Sequence, residues 1–307
     1  MIRVIKRAST IKPSKLRPGD QIGVISPGSP VKKSDLQLGI NILKSSGFRV
    51  RVAPHAYDRR GYLAGEDKER LADLHEMFLD PHIAAIFCAR GGYGTPRLLD
   101  KIQYKLIRKN PKILVGYSDV TALLIAINAK TGLVTFHGPM VQELARNNKR
   151  NWNALFSLLS ATQPLKIGLK ARSALIPGRA TGPLVGGNLS LICHLVGTPF
   201  LPSLDSCILF VEEKGEPLYR IDRMMTQLSL SGQLRGLSGL IGGQFEGCGN
   251  LSAINRLLIE MVSNLNIPLA TGLPVGHGSK NVALPIGLTA ELDTKLMTFS
   301  VTETCVV

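Results

Sequence analysis

The stretch KILVGYSDVTALLIAINAK, residues 112–130, changes its character abruptly in the middle. Lys112–Tyr117 is a short apolar run of strand length, and from Asp119 to about Lys130 the pattern is helical. A strand that turns straight into a helix is half of an α/β unit, and the same alternation extends on both sides. Gln21–Ser26 reads as a buried strand ending in the turn Pro27-Gly28-Ser29-Pro30, followed by a helix that Ser34 and Gln37 could open with a capping box. Phe48–Ala53 and Ile83–Ala89 are further strands flanking a charged amphipathic helix at Glu66–Leu79, and Leu133–Phe136 reads as a fifth strand. After residue 178 strands resume at Thr181–Val185, Ile208–Glu213, Leu240–Phe245 and Pro268–Thr271. Helices are expected near Asn188–Val196, Tyr219–Leu230 and Ala253–Leu265. A hairpin turning at Asp293-Thr294-Lys295 closes the chain. The expected organisation is a basic tail (1–20), an α/β domain (21–145), a polar linker (146–178) and a second α/β domain (179–307).

Composition narrows the classes of function. With 44% hydrophobic and 19% charged residues over 307 positions, the chain suits a globular protein, and no apolar run reaches membrane-spanning length. The N-terminus has basic residues but no apolar segment behind them, so no secretory signal is expected. Five scattered cysteines with no C-x-x-C pair indicate neither a disulfide framework nor a zinc site, and suit a reducing, cytoplasmic setting. The net charge of +15 could point to nucleic acid, but it is dispersed, and no basic-aromatic interleaving accompanies it. A solvated surface is the simpler account, with no nucleic-acid partner, no metal and no other cofactor expected.

The junction at Ser118 has two readings. A sharp strand-to-helix turn lifts a serine hydroxyl clear of the sheet and leaves backbone N–H groups free at a helix N-terminus, as in a nucleophile elbow. Locally, however, a serine or aspartate there is most often a helix cap, and Val120 stands where G-x-S-x-G has its second glycine. Arg90-Gly91-Gly92-Tyr93-Gly94, at the end of the preceding strand, would bring a flexible backbone beside Ser118 and supply donors to an oxyanion. Alternatively it is a phosphate-binding or plain tight turn. A serine nucleophile needs a base held by a carboxylate. Among six histidines, His75, His82 and His55 read as surface or loop residues and His194 as a packed core or interface residue. His137 could line a cleft, and His277, framed as Gly276-His277-Gly278, is the best candidate base. Glu212 ends a buried strand where a charge needs a partner, whereas Glu213 and Glu216 read as solvated loop acids. Asp222 lies near Arg220 and Arg223, suggesting a local ion-pair cluster.

Taken in order, Gly23–Pro27, Arg90–Gly94, Gly116–Asp119, His137–Pro139, Gly186–Leu189, Glu212 through Asp222-Arg223, and Gly276–Gly278 resemble the LD-carboxypeptidase family of serine peptidases. This family includes muramoyltetrapeptide carboxypeptidases and microcin-immunity peptidases. The resemblance implies Ser118 as nucleophile, His277 as base and Glu212 as its orienting carboxylate. It also implies an oxyanion hole at the N–H of Asp119 and of Gly91 or Gly92. The implied fold is a flavodoxin-like N-terminal domain with a parallel sheet, plus a smaller α/β C-terminal domain, with the active site between them. The implied activity is release of terminal D-alanine from muropeptide tetrapeptides in cytoplasmic cell-wall recycling, by a homodimer. A microcin-immunity-type activity on peptidyl-nucleotide conjugates is one alternative, and a non-catalytic α/β protein that binds a ligand or nucleic acid is another, of a different class. A carboxypeptidase must also hold a free carboxylate, for which Arg90 is the candidate.

Overall fold

Residues 8–144 and 149–307 are described by the structure, a computed structural model. Parts of the expected basic tail (1–7) and of the expected linker (146–148) lie outside the described residues. The first half lays down strands β1 (Gln21–Ile25), β2 (Arg49–Val52), β3 (Ile83–Cys88), β4 (Ile113–Gly116) and β5 (Thr135–His137). Between them come helices α1 (Lys33–Ser45), α2 (Asp67–Leu79), α3 (Tyr104–Lys109) and α4 (Thr121–Thr131). Two helices follow, α5 (Val141–Leu144) and α6 (Lys149–Ser160). The next strands are β6 (Lys166–Gly168), β7 (Ala174–Ile176), β8 (Arg179–Asn188), β9 (Ile208–Lys214), β10 (Gly239–Glu246) and β11 (Leu269–Ala270), with α7 (Leu189–Leu195), α8 (Leu218–Leu230) and α9 (Leu251–Val262). β12 (Leu284–Ile286), β13 (Thr289–Asp293) and β14 (Thr298–Val301) complete the chain.

Among the described residues these strands form two sheets. The first has the order β12-β5-β4-β3-β1-β2, in which β2, β1, β3, β4 and β5 run parallel. That is the flavodoxin-like order, and its switch point, where ligands gather at the carboxyl ends of the strands, falls between β1 and β3. The sixth strand, β12, is antiparallel to β5 and comes from the far end of the chain. The second sheet, β6-β14-β13-β8-β9-β10-β11-β7, has a parallel core of β8 to β11 edged by antiparallel strands.

Helix α4 explains how the two sheets meet. Leu123, Leu124, Ile125, Ile127 and every other residue of it except Lys130 are buried, so it is apolar all round rather than on one stripe. It contacts β4 and β5 of the first sheet and β8 and α7 of the second half. Each fully buried leucine or isoleucine there contributes about 1.5–3 kcal/mol of transfer free energy. Gly132 ends the helix in the left-handed region at φ 78°, where a Cβ would lie 1.9 Å from the Ser9 carbonyl oxygen.

Several local expectations are corrected. Ser34 sits inside α1, whose N-cap is Lys32 with no side-chain cap. The capping box forms instead at α2, where Glu66 and Glu69 exchange hydrogen bonds. The 146–178 segment is not all linker: β6 pairs with β14 and β7 with β11 in the second sheet. Residues 8–20 are tied down, with Ile11 N–H donating to Gly132 and Lys15 N–H to Val307. His194 is exposed rather than packed in the core, because the seven-residue α7 turns Ile192, Cys193 and Leu195 inward and His194 away. Arg220 pairs with Glu216, and Asp222 accepts from Thr226, so the expected Arg220–Asp222 cluster does not form.

Candidate active site

Ser118 follows β4 directly and adopts φ 61°, a left-handed conformation that a non-glycine residue holds only when its surroundings enforce it. The first turn after it, Ser118–Val120, is a 3-10 turn that leads into α4. Neither that turn nor α4 has a side-chain cap, so the helix-cap reading of Ser118 is not what the structure adopts. Val120 replaces the second elbow glycine because the retained one makes room for it: a Cβ on Gly116 would lie 2.6 Å from Val120 Cγ1.

Asp119 fastens the turn. It is 1% exposed, its Oδ2 accepts from Thr95 N–H at 2.9 Å, and its carbonyl accepts from the Thr95 hydroxyl. Burial pushes its carboxyl above the usual carboxylate range, while the bonds from Thr95 pull the other way. The glycine loop after β3 lies against the serine: a Cβ on Gly91 would sit 3.2 Å from Ser118 Oγ. Gly28, in the turn after β1, is squeezed similarly: a Cβ on it would lie 2.8 Å from the Gly91 oxygen and 2.9 Å from Asp119 Oδ2. The ends of β1, β3 and β4 thus converge on Ser118, at the edge where the switch point lies.

The second sheet brings the other two groups. Glu212 is fully buried on β9, and His277, 11% exposed in the loop after β11, donates from Nδ1 to Glu212 Oε2 at 2.7 Å. With Nδ1 bound to a carboxylate, Nε2 is the nitrogen left to accept a proton. Burial raises the Glu212 carboxyl above its ordinary range, and the bond from His277 opposes that shift. The two halves are locked just behind the site. Gly187 approaches Thr121, the first residue of α4, so closely that a Cβ would lie 2.6 Å from it, and Asn188 N–H donates to Thr121 Oγ1 at 3.1 Å.

Ser118 and His277 line one cleft of about 450 Å³ together with Arg90, Gly91, Gly92 and Tyr117. The structure therefore gathers the expected residues Ser118, His277, Arg90, Gly91 and Gly92 at one opening, with Glu212 beneath. Arg90 donates to the Pro30 carbonyl at 2.9 Å and is half-buried. Lys32, Asp35, Met140, Gln142, Glu143 and Lys214 complete the lining, and no motif in the sequence marks them. Glu143 stands near the end of the expected first domain, in a polar stretch that carries no site motif. It accepts from the Tyr117 hydroxyl and from Met140 N–H, and burial raises its carboxyl. Glu213, expected in solvent, is 3% exposed: the strand continues through it, and it accepts from Asn188, Ser190 and its own neighbour Lys214. Among the described residues no group of acidic, cysteine and histidine side chains is arranged to hold a metal.

Tyr117 packs between His277, with ring centroids 4.8 Å apart, and His137, at 5.6 Å. His137 is fully buried rather than lining the cleft, edge-on to Phe210, and burial lowers its pKa to about 3. An unfolded histidine titrates near 6.5, so below that pH the unfolded chain binds a proton that the native state refuses, and stability falls as pH falls. His137→Leu should therefore lose about 2 kcal/mol less stability than the parent between pH 7 and pH 5, measured by denaturant unfolding at each pH. Equal losses in the two proteins would refute this.

Residues 22–138 match the LD-carboxypeptidase N-terminal domain, and residues 181–292 match the LD-carboxypeptidase C-terminal domain. A Bacillus subtilis protein named "Probable murein peptide carboxypeptidase" is 40% identical over 294 residues, 92% of either chain. The crystal structure of muramoyltetrapeptide carboxypeptidase from Oxalobacter formigenes superposes with a TM-score of 0.82 at 33% identity, covering 91% of this chain and 97% of that one. The MccF-like protein from Bacillus anthracis superposes at 0.90 with 28% identity, covering 96% of this chain and all of that one. With both domains matched in order and identity of this level over nearly the whole length, the chain belongs to the LD-carboxypeptidase family.

Proposed function

We propose that this protein is a serine LD-carboxypeptidase that removes the terminal D-alanine from muropeptide tetrapeptides. The observation that carries the reading is the Glu212–His277 hydrogen bond of 2.7 Å at a cleft that also contains the strained Ser118. In this reading Ser118 Oγ attacks the carbonyl of the amide before D-alanine while His277 Nε2 takes its proton. The N–H groups of Asp119 and of Gly91 or Gly92 hold the oxyanion as the tetrahedral intermediate forms. His277 then returns the proton to the departing amine, and D-alanine leaves. A water molecule, deprotonated by the same nitrogen, attacks the acyl-serine, releasing the tripeptide and regenerating the hydroxyl. Arg90, with Lys32 and Lys214 on the same cleft, supplies positive charge for the substrate's carboxylates.

The names of the relatives support a murein peptide as substrate. Five buried cysteines that form no disulfide are consistent with the cytoplasmic, recycling setting we assign to it. A homodimer is part of the same proposal. The second reading, cleavage of peptidyl-nucleotide conjugates, is favoured by the likeness to an MccF-like protein. The test is incubation with a free tetrapeptide ending in D-alanine and, separately, with an aminoacyl-sulfamoyl nucleoside, each followed by mass spectrometry. Loss of one alanine from the tetrapeptide is expected. Turnover of the nucleoside conjugate alone would overturn the first reading in favour of the second.

A further inference from the structure

We propose that Gln244 is a positioning residue that sets the place of His277, an inference that rests on His277 being the base. His277 sits in a loop with glycine on either side, so the backbone around it has many conformations open to it unless its neighbours fix one. Gln244, near the end of β10, clamps that loop on both sides of the histidine. Its backbone N–H donates to the Val275 carbonyl at 2.9 Å, two residues before His277. Its side-chain Oε1 accepts from Gly278 N–H at 2.8 Å, one residue after it. Asn281, 2% exposed, adds a third tie by accepting from Gly276 N–H at 3.0 Å.

The flanking glycines follow from this bracing. A Cβ on Gly278 would fall 2.5–2.7 Å from the amide atoms of Gln244, and one on Gly276 would fall 2.5 Å from Glu212 Oε2. The loop is thus pressed against its acceptors, and glycine is what allows the approach. Glu212 orients the imidazole about Nδ1, whereas Gln244 fixes where the loop carries it, and proton transfer is sensitive to both.

Gln244 also forms part of the wall of a second cleft, of about 370 Å³, with Lys170, Ser173 and Lys280. Gln244 is half-buried at that opening, so a changed side chain leaves no void in the core. Removal of the side-chain carbonyl should therefore loosen the loop without unfolding the protein.

The experiment uses Gln244→Met, which keeps the length and loses the acceptor, and Gln244→Glu, which keeps an acceptor oxygen. Turnover of the tetrapeptide and labelling of Ser118 by a fluorophosphonate are measured for both and for wild type. Gln244→Met is expected to lower kcat by about 10- to 100-fold, as for small displacements of a catalytic group, with KM nearly unchanged and the melting temperature kept. Gln244→Glu is expected to keep at least about a third of wild-type kcat, since the charged oxygen still accepts from Gly278. Should Gln244→Met unfold, Gln244→Ala takes its place with the same expected loss. Full kcat in the acceptor-less variant, or equal damage in both variants, overturns the positioning role. Labelling of wild-type Ser118 keeps that outcome separate from failure of the triad, because a wild type neither labelled nor active would overturn both.

Discussion

Ser118→Ala is expected to lower kcat/KM for the tetrapeptide by about 10⁴- to 10⁶-fold, the range found when a triad nucleophile is removed and only binding and oxyanion donors remain. The fold should survive, because Ser118 Oγ caps neither the 3-10 turn nor α4. Its backbone contribution is a separate matter. At φ 61° a side chain is strained whether it is serine or alanine, so Ser118→Ala keeps that strain while Ser118→Gly relieves it. Ser118→Gly should therefore be as inactive as the alanine variant but about 1 kcal/mol more stable. Activity by tetrapeptide turnover and stability by denaturant unfolding check both halves. An alanine variant with undiminished turnover would remove Ser118 from the mechanism.

Glu212→Gln is expected to cost about 10²- to 10⁴-fold in kcat while leaving the melting temperature equal or higher at neutral pH. The amide keeps the shape of the carboxylate, but in the proposed mechanism it would no longer stabilise the imidazolium formed when His277 takes the serine proton. It can also present N–H to Nδ1, which turns the imidazole to the wrong tautomer. Stability moves the other way. Burial raises the carboxyl above its unfolded value, so the native state holds a proton the unfolded chain has already released. In that window the unfolded state binds fewer protons, and wild-type stability declines as pH rises from the unfolded carboxylate pKa to the raised native one. The glutamine variant lacks this decline. Denaturation of both proteins from pH 4 upward would show the two curves separating; parallel curves would mean that Glu212 is ionised at no cost in the native state.

How much of this was legible beforehand differs from element to element. The strands whose ends converge on Ser118, β1, β3 and β4, were readable as apolar runs ending in Ser26-Pro27-Gly28, Arg90-Gly91-Gly92 and Tyr117-Ser118-Asp119. Burial on both faces of a parallel sheet leaves a continuous hydrophobic signature. β12 carries no such signal, since its three residues form a strand only because β5 offers an edge to pair with. The expected linker likewise conceals β6 and β7, whose short runs are strands by virtue of their partners.

By itself, the sequence of this protein determined the alternation of strand and helix, the glycine-rich strand ends, and the order serine, glutamate, histidine along the chain. Only the tertiary structure decided which atoms meet. Glu212 and Glu213 are adjacent and both buried, yet consecutive residues of a strand point to opposite faces. One therefore reaches His277, while the other is consumed by Asn188 and Ser190. Gln244 and Glu143 have no distinguishing neighbours in the sequence, and their partners, Gly278 and Tyr117, lie 34 and 26 residues away. Local pattern encodes hydrophobic periodicity and backbone freedom; the pairing of polar atoms across two sheets depends on register and on how α4 is packed between them.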